Sequence, residues 1–353
     1  MATPTQMDFH PSCRPMLVGS FPHDDHDRAL DLVMEYTPDY PVWPQLPVFP
    51  QEGMMQQFIL GLPGLSLEKD KVRVDVDTAG YDADQLAFYE QLLAGGTHAF
   101  ALGPDTAKGI FALVRAVENA PSPPLAVKGQ VVGPFTQAVG AKDMAGRALY
   151  FDLQQREAVT GLLAARAAWQ VKYFREKLNL PVILFIDEPG LAGFGSSAFI
   201  GVGRGEVVES LAQVIDAIHG QGGIAGIHVC GNTDWGMVME SGADLINFDA
   251  SAYFDRLLLY GDELKKFVEG GGCLAWGMVP TANGEDIARA RVADMEADFH
   301  GHVQALCDLG LDRAMLMKQS VITPACGLGT RSKEEALRVL TLTRDLSQRL
   351  RSQ

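Results

Sequence analysis

Short apolar runs, each followed by a break and then a stretch of helical period, recur along the chain. They fall at 16–20 (MLVGS), 98–103 (HAFALG), 125–132 (LAVKGQVV), 182–187 (VILFID), 224–229 (IAGIHV), 244–249 (DLINFD), 273–278 (CLAWGM) and 314–320 (AMLMKQS). Most positions in each run are apolar, without strict alternation, as in strands buried on both faces of a helix-covered parallel sheet. Segments 152–178, 205–219, 284–309 and 332–350 carry the amphipathic pattern of the covering helices. The last opens on Ser332-Lys333-Glu334-Glu335, a capping-box spacing. Eight such strands alternating with helices predict an α/β fold, a (β/α)8 TIM barrel forming one catalytic domain over 1–353. Segment 37–96 is longer than one βα unit needs and reads as an insertion after the first strand, covering the barrel mouth. A doubly wound dinucleotide fold finds no support, because VGSFPHDD after the first strand lacks a G-x-G-x-x-G turn.

Composition narrows the function. The chain has 353 residues, 47% of them hydrophobic, enough for a sizeable core. Its 29 basic and 44 acidic residues give a net charge of −15. That balance argues against nucleic acid, which requires a cationic face, and against an anionic membrane surface. No apolar run approaches the roughly 20 residues of a membrane span, and the N-terminus has no signal-peptide core. Five cysteines (Cys13, Cys230, Cys273, Cys307 and Cys326) show no disulfide-framework spacing. Reduced thiols and a cytoplasmic location are expected.

In a barrel the chemistry gathers where strands end. The fifth run ends His228-Val229-Cys230. Residues two apart on a strand point the same way, so an imidazole and a thiol converge. Both are good Zn²⁺ ligands, and Cys326, after the eighth run, is a third. Asp249 closes the adjacent strand and is the candidate fourth. A His-x-Cys pair alone describes a buried thiol beside a satisfied histidine equally well; Cys326 at a second strand end shifts the balance toward metal. Cys13, Cys273 and Cys307 are expected to be packing residues. Asp187-Glu188 follows five apolar residues, so one of the two acids should meet a cation, from substrate or from an internal ion pair. Asp24 or Asp25 is expected to cap the first helix.

Four motifs occur in order: Gly19-Ser20-Phe21-Pro22, Ile186-Asp187-Glu188-Pro189, His228-x-Cys230, and Pro324-x-Cys326-Gly327-Leu328-x-Thr330-Arg331. Together they resemble the catalytic barrel of cobalamin-independent methionine synthase, in the superfamily that includes uroporphyrinogen decarboxylase and the methylcobamide:thiol methyltransferases. The resemblance implies a zinc site built from His228, Cys230, Cys326 and, with a shorter side chain than the family's Glu, Asp249. It implies that Ser20 meets the homocysteine carboxylate and Asp187 its amino group. The family's synthase has a second half and a His in the loop after the seventh strand. The corresponding loop here, 277–283 (GMVPTAN), has no His to protonate a folate leaving group. The implied donor is therefore methylcobalamin, free or on a corrinoid protein, and the implied reaction is homocysteine to methionine. Another small thiol such as coenzyme M, and the reverse transfer onto a corrinoid, keep the same site. A metal-free decarboxylase of the same superfamily would leave His228, Cys230 and Cys326 without a role.

Overall fold

The computed structural model describes residues 9–68 and 71–352. Residues 1–8, part of the stretch searched for a signal peptide, lie outside them. The strands are β1 (Arg14–Pro15), β2 (Leu65–Glu68), β3 (Lys71–Val74), β4 (Val127–Val132), β5 (Lys142–Asp143), β6 (Val182–Asp187), β7 (Ile224–Val229), β8 (Leu245–Phe248), β9 (Cys273–Val279) and β10 (Ser320–Pro324). Seven make a curled parallel sheet in the order β1-β10-β9-β8-β7-β6-β4, and β2-β3-β5 make a small second sheet.

Burial explains the continuous apolar runs. Met16, Ala126, Ile183, Phe185, Ile224, Leu245, Ala275 and Val321 form one cluster on one face of the sheet. The alternating positions, including Leu184, Ile186, Ile227, Ile246, Trp276 and Ile322, join the larger core under the helices. Every residue of β6, β7 and β9 is buried. The helix Leu153–Leu178 starts on Asp152, whose carboxylate accepts from the Gln155 amide, and ends on left-handed Asn179. The helix Lys333–Arg351 opens with the reciprocal Ser332–Glu335 capping box that its spacing announces. Asp25 caps the helix His26–Tyr36 through the amides of Asp27 and Arg28.

Four expectations are corrected. The first strand is Arg14–Pro15, directly before the run at 16–20 expected to form it. The run at 98–103 is not the second strand: Thr97–Phe100 is a 3-10 turn, and Pro104 starts the helix Pro104–Glu118. Its Phe100 instead packs edge-on against Phe88. The run at 314–320 is largely helix, Arg313–Lys318, capped by Asp312. The strand lies just beyond, where β-branched Val321, Ile322 and Thr323 favour it. Lys318 and Gln319 therefore precede β10 instead of ending it. The segment 284–309 is two helices, Gly284–Arg289 and Val292–Asp308.

Among the described residues the curled sheet has seven regular strands, not the eight of a closed barrel. Between β1 and β4 runs 41–45, inside the segment read as an insertion, and it touches its neighbours by the single parallel bridges Ser20↔Gln45 and Val42↔Lys128. Trp43 N–H donates to Lys128 O (3.3 Å), Lys128 N–H to Pro41 O (2.8 Å), Gln45 N–H to Gly19 O and Phe21 N–H to Gln45 O (both 2.9 Å). Pro41 and Pro44 have no amide proton, so a continuous ladder cannot form there. The side chain of Lys128 reaches past this seam, donating to Val18 O at 2.6 Å. Among the described residues no helix is long and apolar enough to cross a membrane.

Candidate metal centre

Register places the first group of polar side chains. Asp187 pairs with His228, His228 with Asn247, and Asn247 with Ala275. Laterally paired residues in a parallel sheet share a face, so Asp187, His228 and Asn247 stand side by side. All three are buried. Cys230 follows the end of β7, and Cys326 follows the end of β10.

The Asn247 carboxamide settles the state of His228. Its Nδ2 donates to Ala275 O and to Thr323 Oγ1, both at 2.8 Å. Its Oδ1, 2.6 Å from His228 Nδ1, must then be the acceptor, so the imidazole proton sits on Nδ1. Nε2 of the neutral ring is left with a lone pair and has no hydrogen-bond partner. This Nε2 and the sulfurs of Cys230 and Cys326 all lie within 4.8 Å of one another. An acceptor that holds the proton of one ring nitrogen and leaves the other free is the usual preparation of a histidine ligand.

The electrostatics suit a cation. The Cys326 thiol, and then His228, pull the Cys230 thiol down to about 4. Cys326 is pushed up in turn, chiefly by Cys230, so one proton serves two sulfurs. Burial opposes a charge on His228, but Cys230 and Asp187 outweigh it and raise its pKa. Burial also raises Asp187, against the lowering influence of His228 and Lys128, and its Oδ1 has no partner. A soft, two-sulfur, one-nitrogen set fits Zn²⁺.

Asp249 is not in that group. It caps the helix Ala250–Leu257, with Oδ1 accepting from the Ala252 amide at 3.0 Å. Ser20 lies against the loop that carries Cys326: its Oγ accepts from the Gly329 amide (3.2 Å) and its carbonyl from the Leu328 amide (2.9 Å). A Cβ on Gly327 would come within 2.2 Å of that Oγ, so only glycine fits there. Asp187 and Glu188 part company. Glu188 meets no cation; it accepts from the amides of Phe135 (2.9 Å) and Thr136 (2.8 Å) and from Thr136 Oγ1 (2.5 Å), with burial lifting its carboxyl to about 7. It ties the loop after β4 to the end of β6.

Three residues of the site receive no role from the sequence, although Lys128 and Asn247 stand among its polar strand-end residues. Asn247 stands one position before Phe248-Asp249, and nothing in the sequence separates it from a turn residue. Thr323 lies beyond the run 314–320 that reads as the last strand. Lys128 is fully buried over the Phe185 ring (4.7 Å to its centroid), and burial lowers its pKa to about 8. The isolated polar pair Lys128/Gln130 in an apolar run was the available signal. Cys13 and Cys273 are buried and pushed up to about 12, as packing thiols are. Cys307 lies on the helix Val292–Asp308.

The fold is that of an α/β protein with a curled parallel sheet, and a solved structure shares it. A methyltransferase from Methanosarcina mazei superimposes with a TM-score of 0.55 at 12% identity, covering 96% of this chain and 94% of that one. A 3-keto-D-glucoside 4-epimerase from E. coli gives a TM-score of 0.38 at 11% identity over 70% of this chain and 85% of that one, too low to carry an argument. No sequence-family description matches the chain, and no curated protein does.

Proposed function

We propose that the chain is a zinc-dependent methyltransferase that moves a methyl group from a corrinoid, methylcobalamin or a corrinoid protein, to the thiol of homocysteine, giving methionine. The observation that carries this reading is the convergence of His228 Nε2 with the Cys230 and Cys326 sulfurs, with Asn247 holding the imidazole in the ligating tautomer. His228, Cys230 and Cys326 would hold the metal. Zinc, when bound, lets a thiol of pKa near 8.5 react as thiolate at neutral pH. Asp249 is engaged as a helix cap, so the substrate sulfur would approach beside His228, Cys230 and Cys326 without competing with it. The unpartnered Asp187 Oδ1 takes the substrate ammonium, and the Ser20 hydroxyl, whose own proton is not needed by Gly329, donates to its carboxylate. These two contacts fix the sulfur for in-line attack. In the transfer the sulfur–methyl bond forms as the donor–methyl bond breaks, and the donor departs with the electron pair. A corrinoid can leave in this way without a proton, which suits a loop 277–283 with no His. In this reading 41–45 stands in for the eighth barrel strand, and the remainder of 37–96 covers the mouth.

The test is metal analysis of protein purified without chelator, joined to a homocysteine methylation assay with methylcobalamin and methyl-tetrahydrofolate in separate reactions. About one Zn²⁺ per chain, and methionine from methylcobalamin only, is expected. Methionine from the folate alone overturns the donor assignment. Protein that neither holds nor takes up zinc overturns the reading as a whole.

A further inference from the structure

At the end of the sheet where the strands begin, away from Cys230 and Cys326, a cleft of about 630 Å³ opens. Its walls come from the turn before β1, from the helices Val292–Asp308 and Arg313–Lys318, and from the end of Lys333–Arg351. Arg14, Arg313, Lys318 and Arg351 line it, with His300 among them. In a chain of 44 acids and 29 bases this gathering runs against composition.

Several cations elsewhere meet carboxylates: Arg156 meets Glu206, Arg204 meets both Asp234 and Glu240, and Lys333 meets Asp24. In the cleft they are under-neutralised. Asp39 serves two of them, at 2.9 Å from Arg14 and 4.0 Å from Arg351. Arg313 donates to the Nδ1 of His300 at 3.0 Å, a neutral acceptor. The Lys318 ammonium has no side-chain partner among the described residues. Like charges held in one concavity raise its potential and draw a counter-ion.

The cleft is also built. Ser12 and Cys13 are both left-handed, with φ of 49° and 58°. Non-glycine residues enter that region at a steric cost, and such cost tends to persist where a site needs it. The Ser12 amide donates to Lys318 O (3.0 Å) and the Cys13 amide to Ser320 O (2.7 Å), so the turn that presents Arg14 is fastened to the segment that presents Lys318.

We infer that this cleft binds a small multivalent phosphoryl anion, a diphosphate or a phosphate ester. Guanidinium forks match phosphate oxygens two at a time, and a point charge such as Lys318 completes the shell. The volume falls in the range of small-molecule sites, and Met317 and Leu350 offer an apolar wall to an organic substituent. The inference does not depend on the zinc reading.

Isothermal titration of the full chain with inorganic pyrophosphate, and separately with ADP, at constant ionic strength, tests it. Saturable one-site binding is expected, unchanged by removing metal with chelator and weakened about tenfold or more in Arg313→Glu/Lys318→Glu. Both side chains are exposed, so the variant should fold; circular dichroism checks this, and Arg313→Ala should give a smaller loss in the same direction. Tighter ADP binding would place the organic part against Met317 and Leu350, whereas equal affinities would assign recognition to the phosphates alone. Failure of both probes to saturate, or equal binding by wild type and the double variant (an adventitious ion only), overturns the inference.

Discussion

The arc from β6 to β10 and the seam between β1 and β4 complete one sheet by different means. Along the arc every strand pairs in parallel with the next, with a shift of register only at Thr323/Pro324, and the residues that converge on the candidate metal centre ride on these ladders or on the loops that follow them. At the seam a proline-broken segment supplies two single bridges, and a buried lysine crosses from β4 to the Val18 carbonyl. Regular pairing fixes side-chain direction to a fraction of an ångström, which ligands need. The seam has only to hold the edges together, and it does so with a charged group that burial penalises.

The largest effects are expected on the arc. Cys230→Ser or Cys326→Ser should lower zinc affinity on the order of a hundredfold or more, taking the ten or so kcal/mol of a zinc site as shared among its ligands. Competition with a chromophoric chelator measures this, and circular dichroism should show the fold retained, since neither thiol is a core residue. Zinc affinity equal to wild type in either variant would remove that sulfur from the site.

At the seam the expected signature is a pH dependence. Burial lowers Lys128 from 10.5 to about 8. The unfolded chain therefore binds the proton more tightly, and between those pH values the fold gains stability as pH rises, by up to about 3 kcal/mol from this group. The gain is lost progressively as pH falls from 10.5 and is gone below about 8. Lys128→Met should flatten that slope in urea melts at pH 7 to 10 while leaving zinc affinity unchanged. A variant that keeps the full wild-type slope would show that other groups produce it.

Asn247→Ala tests whether the arc orients its ligands through more than the ligands themselves. Freed from Oδ1, the His228 ring loses the contact that selects its tautomer, and affinity for zinc should fall about 10- to 100-fold. Asn247→Asp keeps the acceptor and should retain more of it. An equal loss of folding stability in both, with zinc affinity unmoved, would make Asn247 a structural residue only.

The contrast also marks what the sequence could tell. His228, Cys230 and Cys326 were legible because few side chains bind metal and their spacing places two of them on one strand face. β6, β7 and β9 were legible because burial on both faces leaves a continuous apolar run. The second strand position was hidden because Pro41 and Pro44 erase the strand pattern, while 98–103 mimics it with residues that pack beneath the helices. The start of β10 was hidden by a methionine- and leucine-rich helix directly before it. Asn247 was hidden for another reason: its role lies in three hydrogen bonds from three elements, and no local pattern encodes them.

The smallest effect belongs where seam and arc meet. Ser20 pairs with Gln45 on one side and holds the Cys326 loop on the other, through the amides of Gly329 and Leu328. Ser20→Ala removes only the Oγ acceptor, a net cost of about 1 kcal/mol in a urea melt. The backbone bond to Leu328 remains, so the loop stays near its place and zinc affinity should change little. Homocysteine binding separates the two duties of the hydroxyl. If Ser20 also meets the substrate carboxylate, the Kd for homocysteine should rise more than stability loss alone explains, and Ser20→Thr should recover part of it. A homocysteine Kd untouched by Ser20→Ala, with the expected stability loss, would confine Ser20 to the loop.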